Sequence, residues 1–388
     1  MGVRIPPSLL KKRKMDFHKR FWATAFTLTG TIIGAGILGL PYVFSKSGFF
    51  LGFFWLVVLG IVMVFVNLCL GEVTLRTKKV MHLPGFAEKY LGKKGKILML
   101  FAVAFGIYSA LLAYLIGEGQ SFSKLFFGTL DYSIYFAVAF WLGMVFLMRE
   151  GLRGLKKVEI YGVLIIIVII FGMLFWFFPD VNLKNIHYYD FSNFFLPFGV
   201  ILFALLGFTS IPEMRMMIKG NEKLLKKAII LGSVIPVILY FIFSFIFIGV
   251  LGKNISEVAT VSFGGIITLL GIATMLTSYF VLSFALKDIF VYDLNMKGLV
   301  FPFVFIAPLL LYFIVLFFNL ADFVKVLGVG GVVSGGLTGI LILIMNKKSK
   351  IKGNRKPEFS IPVNWPVIVV LSVIFLLGVA AELFYFLS

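Results

Sequence analysis

The chain is poor in the residues that soluble enzymes use for chemistry. Its 388 residues include one cysteine, Cys69, and three histidines, His18, His82 and His187. A lone thiol excludes a disulfide framework within the chain. The histidines lie in polar segments far apart in sequence, so no ligand cluster for a zinc-type metal is present. Charged residues make up 14%, against about 25% in an ordinary soluble domain. There is no HExxH, no GxSxG and no P-loop with its lysine. The chain is therefore read as no enzyme and as carrying no organic cofactor. A repeated filter sequence or a ring of pore charges is also missing, which argues against a channel.

Apolar residues, by contrast, make up 61%. A soluble domain has about 45–50% even with glycine counted, so lipid has to be the solvent for most of this surface. The net charge of +19 does not signal a nucleic-acid partner, because the basic residues sit between apolar runs and not along one soluble face.

Runs of about 20 apolar residues are long enough to span a bilayer. They fall at 21–44, 49–72, 97–118, 133–149, 158–178, 194–216, 228–251, 263–286, 300–318, 322–345 and 364–387. The first is too long for the core of a signal peptide and has no small-residue cleavage site, so it reads as retained. With the N-terminus in the cytoplasm, 31 of the 36 basic residues fall in cytoplasmic segments; the reverse orientation violates the positive-inside rule in nearly every loop. Eleven spans then put the C-terminus outside. The expected organisation is a cytoplasmic segment 1–20, a ten-helix core 21–345, a basic, flexible linker 346–363 and an eleventh helix 364–388. Polar loops are expected at 73–96 and 179–193.

Two spans carry interruptions. Span one reads TLTGTIIGAGILGLPYVFSKSG, with Gly34-Ala35-Gly36 near its middle and Pro41 in the next turn. Glycine in a helix interior costs about 1 kcal/mol relative to alanine, and proline removes a donor. Span six reads FALLGFTSIPEMR, where Gly207 precedes Thr209, Ser210 and Pro212. Irregular backbone at membrane depth is tolerated only against protein or a water-filled cavity. The two breaks correspond if the core is two five-helix halves, 21–178 and 194–345, and an odd number of helices per half makes the second half inverted. Paired broken helices mark a transporter's central site. The second half-helix offers N–H groups and a positive dipole end to a carboxylate, and the first offers free carbonyls to an ammonium or small cation. A zwitterionic amino acid suits both.

GTIIGAGILGLPYVFSKSG in span one, FTSIPEMR in span six and TSYFVLSFALKDIF in span eight resemble the amino acid/auxin permease family of the amino acid-polyamine-organocation superfamily and, more loosely, the prokaryotic aromatic and hydroxy amino-acid permeases. The resemblance covers nearly the whole chain. It implies a LeuT-type fold, all α-helical, with a 5+5 inverted repeat plus one added C-terminal helix, and secondary amino-acid transport. It places the substrate carboxylate on the main-chain N–H groups around Gly34, Ala35 and Gly36, and the amino group on carbonyls near Thr31 and Phe203. Gly207 opens the second break, and Phe208, Tyr108, Ser109 and Tyr114 would shape the side-chain pocket. It also suggests sodium between spans one and eight, on the hydroxyls of Thr277 and Ser278 with oxygens from Gly30, Ile33 and Thr274. Proton coupling is the rival, with Glu72, Glu118, Glu213 and Glu382 as candidate carboxyls. Glu213 and Arg215 read as a cytoplasmic gate or a structural ion pair. A cation-coupled amino-acid symporter, with sodium favoured, is the leading expectation; a transporter-like amino-acid sensor is the alternative.

Overall fold

The computed structural model describes residues 17–150 and 155–387. Most of the expected segment 1–20, residues 151–154 and Ser388 lie outside the described residues. Described residues form helices and no strand. In chain order these are α1 (Phe17–Ile32), α2 (Gly36–Ser47), α3 (Phe49–Leu75), α4 (Leu83–Phe127), α5 (Ser133–Glu150), α6 (Leu155–Phe177), the single turn α7 (Leu183–Ile186), α8 (Leu196–Ala204), α9 (Ile211–Met217), α10 (Leu225–Leu251), α11 (Ala259–Phe263), α12 (Gly265–Asp288), α13 (Ala307–Phe317), α14 (Phe323–Gly330), α15 (Leu337–Lys352) and α16 (Trp365–Leu387).

Nine helical stretches among the described residues are long and apolar enough to cross a bilayer, and α1 with α2 makes a tenth as a pair bent by 55°. A shorter apolar stretch, Ser133–Met148, lies in α5. The chain is an all-helical polytopic membrane protein. Large apolar side chains stand exposed on its outer helices, among them Ile61, Phe146, Val168, Phe175, Phe317 and Phe384, as expected where lipid is the solvent.

Two segments expected to be irregular are ordered. Within 73–96, α4 begins at Leu83, with Pro84 in its first turn, where a missing N–H costs nothing. Leu83, Phe86, Ala87 and Tyr90 are buried, a spacing that makes one apolar stripe of a short surface helix. Gly92 then adopts φ 81°, and the chain turns into the spanning part of α4. This left-handed kink needs glycine and gave no signal in an apolar-run count.

The linker 346–363 is the second correction. Helix α15 runs to Lys352, and the residues after it dock on the end of α3. The anchor is Glu72, fully buried. Its carboxylate accepts from Arg76 Nε (2.7 Å), Asn346 Nδ2 (3.0 Å), Ser360 Oγ (2.8 Å) and the Ile361 N–H (2.7 Å). Arg355 adds a bond to the Leu75 carbonyl and a bidentate pair with Glu358. Basic residues of these segments share one end of the molecule, called here the basic end.

At the opposite end, two carboxyls cap α14. Asp322 accepts from the Lys325 N–H at 2.7 Å and Glu257 from the Phe323 N–H at 3.0 Å, where a helix dipole favours negative charge. Burial, and then the neighbouring Asp322 charge, push Glu257 up to about 7.

These contacts generate two expectations. Glu72→Ala strands the Ile361 N–H and the Asn346 amide; a loss of about 3–5 kcal/mol is expected for breaking one side of a buried charged network. Trypsin should then cut after Lys352 or Arg355 much faster than in the parent protein, and an unchanged digestion rate would refute the docking. For Glu257 the native pKa lies above its ordinary carboxylate range. Its contribution to stability is full at low pH and is lost as pH rises through about 7. The melting temperature in detergent should fall between about pH 5 and about pH 8, with a shallower fall in Glu257→Gln.

Candidate functional site

The first break lies where glycine was expected to place it. Helix α1 stops at Ile32, the Ile33 N–H still reaches the Thr29 carbonyl at 2.9 Å, and α2 restarts at Gly36. The second lies between Ala204 at the end of α8 and the 3-10 turn Phe208–Ser210 that leads into α9. The two breaks touch. A Cβ on Gly36 would sit 2.5 Å from Ala204 Cβ, and one on Gly207 would sit 2.6 Å from Ile32 Cγ1. Neither position has room for a side chain, so each glycine is a condition of the crossing.

Freed carbonyls at this depth need donors. Tyr240 on α10 supplies one that sequence reading missed. Its hydroxyl lies 2.9 Å from the Ile32 carbonyl and 2.8 Å from the Ala204 carbonyl, and the residue is fully buried. One O–H therefore serves the terminal carbonyls of both broken helices. Nearby, Pro236 lacks the N–H that would bond the Gly232 carbonyl, and the Thr29 hydroxyl approaches that carbonyl at 3.2 Å. Gly232 lets α10 press on α1, since a Cβ there would lie 2.6 Å from the Ala25 carbonyl.

Across the break stands α4. The Tyr114 hydroxyl accepts from the Ala35 N–H at 3.5 Å and is hydrogen-bonded to Ser278 on α12. A Cβ on Gly34 would approach that hydroxyl to 3.0 Å. Tyr114, Ala35, Gly34 and Ser278 are thus brought together.

A cavity of about 110 Å³ lies beside the breaks. Thr31, Gly34, Gly36, Tyr114, Phe203, Gly207 and Phe208, all named from sequence, line it. Ala35 is buried next to it. Sequence reading missed Val103, Gly106, Ile107 and Ala110, which with Tyr114 make one stripe of α4, and also Ser334 and Thr338 at the start of α15 and the turn before it. The small residues Gly106 and Ala110 at helical spacing were the available signal. The lining is mostly apolar, with Thr31, Thr209, Tyr114, Ser334 and Thr338 as its polar members.

Other expected residues lie elsewhere. Tyr108 faces away from the cavity and donates to the Phe303 carbonyl at 2.7 Å. Ser109 packs under Gly330 of α14. Of the expected sodium ligands, Thr274 and Thr277 are engaged within their own helix. Thr274 donates to the Leu270 carbonyl and Thr277 to the Ala273 and Thr274 carbonyls of their own helix. Helix α12 packs mainly on α4, whereas α1, which carries Gly30 and leads to Ile33, packs on α6, α9 and α10. Ser278 alone reaches the first break. At the basic end, Arg215 is buried and donates to the carbonyls of Thr74 and Thr77, so it ties α9 to the end of α3. Glu213, two residues before it, is half-buried in the first turn of α9.

With this geometry established, sequence comparison is decisive for the family. The sequence model of the tryptophan/tyrosine permease family matches residues 17–384. The chain belongs to that family. The expected membership of the amino acid/auxin permease family is thereby corrected. The glycine-rich first span behind that expectation records a backbone requirement, a broken helix, and does not by itself separate families. Among curated relatives, the chain is 24% identical over 241 residues to glutamine transporter 2 of Aliivibrio fischeri, covering 61% of this chain and 62% of that one. It is 27% identical over 242 residues to tyrosine-specific transport system 2 of Haemophilus influenzae, covering 60% and 59%. A low affinity tryptophan permease of Escherichia coli is 24% identical over 269 residues, covering 64% and 62%. The matched region thus spans about three-fifths of the length of these relatives. As a permease family member, the chain is not an enzyme.

The shared, three-centre hydrogen bond of Tyr240 leads to a clear expectation. Tyr240→Phe keeps the ring and strands two buried carbonyls. Each unsatisfied group costs about 1–3 kcal/mol, so the melting temperature in detergent should fall measurably. An unchanged melting temperature would remove the bridge from the account of the fold.

Proposed function

We propose that this chain is an amino-acid permease, a secondary transporter that binds its substrate between the two helix breaks and exposes it to the two sides of the membrane in turn. The observation that carries this reading is the meeting of both breaks at one cavity. Backbone there presents what an α-amino acid requires. The N–H groups of Ala35 and Gly36, at the start of α2, suit the carboxylate. Carbonyls around Thr31 and Phe203 suit the ammonium. The apolar lining supports a bulky side chain, and the names of the relatives support tryptophan, tyrosine and glutamine as substrates to try first.

Under this reading the halves 21–178 and 194–345 form a LeuT-type 5+5 inverted repeat, and 364–388 is an added eleventh helix. The distribution of basic residues supports an N-terminus and residues 346–363 in the cytoplasm and a C-terminus outside a cell membrane. Arg215, on the carbonyls of α3, and Glu213 would belong to the cytoplasmic gate. Transport would be coupled to a cation. Sodium is the ion favoured from sequence, but the hydroxyls of Thr274 and Thr277 turn to carbonyls of their own helix. A proton has better support.

Purified protein in liposomes should take up labelled tryptophan or tyrosine, and replacing sodium by choline at fixed pH should leave the rate unchanged. Loss of uptake in choline would restore sodium. Gly34→Leu fills the space in front of Tyr114 and should abolish uptake while the protein still inserts. Normal uptake by that variant would move the substrate away from the breaks.

A further inference from the structure

Four carboxyls were candidates for carrying a proton, and their surroundings differ sharply. Glu72 is bound by four donors and holds the segment after α15 in place, so its negative charge is fully used. Glu213 lies in α9 beside Arg215 at the basic end. Glu382 is wedged against Gly199 and Gly328 by the added helix α16. Glu118 is unlike these. It is fully buried, and neither of its oxygens has a hydrogen-bond partner among the described residues.

The walls around Glu118 are close. A Cβ on Gly117 would lie 2.7 Å from Met275 Sδ of α12 and 3.0 Å from Phe323 of α14, and one on Gly119 would lie 3.1 Å from Ala137 Cβ of α5. Glycine on both sides lets three elements close around α4 at this level. The titratable side chains described on the elements packed against α4 are Tyr135 on α5, Tyr279, Lys287 and Asp288 on α12, Tyr292 and Asp293 in the turn after α12, Tyr312 on α13, Lys325 on α14 and the lysines at the far, basic end of α15. None of them is bonded to Glu118. Ser121, one turn further and on the same face, is also buried without a partner. An ionised carboxylate with neither donor nor counter-charge in such a place carries a large desolvation cost. The neutral acid avoids it.

Position adds the link to transport. The cavity stripe of α4 runs Gly106, Ala110, Tyr114 at intervals of four, and Glu118 is its next member. Tyr114 ends the cavity by accepting from the Ala35 N–H, which is the donor the substrate carboxylate needs. Under the transport reading, a substrate carboxylate on that N–H would displace the tyrosine hydroxyl, one turn from Glu118.

We propose that Glu118 is the proton-binding site of the permease: its carboxylate takes a proton from one side of the membrane, forming the O–H bond of the neutral acid, and releases it to water on the other side when Tyr114 is displaced. This rests on the transport reading above. A zwitterionic substrate moved with one proton makes the cycle electrogenic, and no oxidant or other reactant is needed.

The test uses the full chain in liposomes with labelled tryptophan, tyrosine and glutamine. Counterflow exchange at equal pH reports substrate binding and alternation without net proton movement. Accumulation under an acid-outside gradient reports coupling. The parent protein should do both. Glu118→Gln should keep counterflow within about threefold, lose accumulation at least about tenfold and lose its dependence on external pH, an expectation that follows from a coupling role separable from binding. Glu118→Asp should still accumulate, with its pH profile displaced. Gradient-driven accumulation by Glu118→Gln overturns the proposal. So does loss of counterflow in an inserted Glu118→Gln, which would make the residue structural. If Glu118→Gln does not insert, the Asp variant decides: an undisplaced pH profile overturns the proposal. If the parent protein exchanges none of the three amino acids, the permease reading falls, and this inference with it.

Discussion

A carbonyl released in the middle of a membrane has to meet a donor from the protein, because lipid offers none. Tyr240 meets this requirement twice, for Ile32 and for Ala204, and much of the structure is arranged around that hydroxyl. It can reach both carbonyls only because the broken helices cross in contact. They can cross only because Gly36 and Gly207 lack side chains. Helix α10 can bring the tyrosine there only because Gly232 lets it lie against α1. Even Pro236 fits the scheme, since the carbonyl it leaves at Gly232 is served by Thr29 of α1. The breaks, the third helix that joins them and the cavity beside them form one construction.

The two ends of the molecule close by different chemistry. At the basic end, Glu72 and Arg215 convert the last turn of α3 into a junction for α9, α15 and the residues leading to α16. Arginine on free carbonyls at a helix C-terminus is the favourable sign for the dipole. At the opposite end, Asp322 and Glu257 do the converse job at the N-terminus of α14. The basic end is tied by four donors on one carboxylate, whereas at the opposite end burial and the neighbouring Asp322 charge disfavour ionised Glu257. The ends are thus unequal in strength and in pH response, which is a physical asymmetry between the two sides of the molecule.

Much of this was legible in sequence, because long apolar runs and glycine pairs are local signals. The span boundaries at 49–72, 228–251 and 364–387 lie close to α3, α10 and α16, and both breaks lie at the glycines that announced them. What was not legible depended on distant partners. Nothing near Tyr240 in the chain distinguishes it from thirteen other tyrosines; its role exists only once α1, α8 and α10 meet. The residues after Lys352 look like a flexible basic linker in composition, and are ordered by a carboxylate nearly 290 positions away. The amphipathic start of α4, between Leu83 and Leu91, is far shorter than the roughly 20 apolar residues a span needs, so composition does not mark it.

The candidate site separates along the same line. Thr277 and Ser278 are neighbours in sequence and were read as one pair, yet successive residues on a helix point about 100° apart. Here one of them faces the break. Ser278 does so through Tyr114, while the Thr277 hydroxyl turns back onto the carbonyls of its own helix, where a hydroxyl in an apolar span is readily satisfied. A pair of ligands on adjacent residues therefore requires α12 to present its edge to α1, with both residues flanking the line of contact. Here α4 occupies that line: Tyr114 stands between Ser278 and the Ala35 N–H. The bulky phenol that occupies the space between α12 and the first break also continues the stripe toward Glu118, so the same helix that separates the hydroxyl pair from the broken backbone supplies the buried carboxyl.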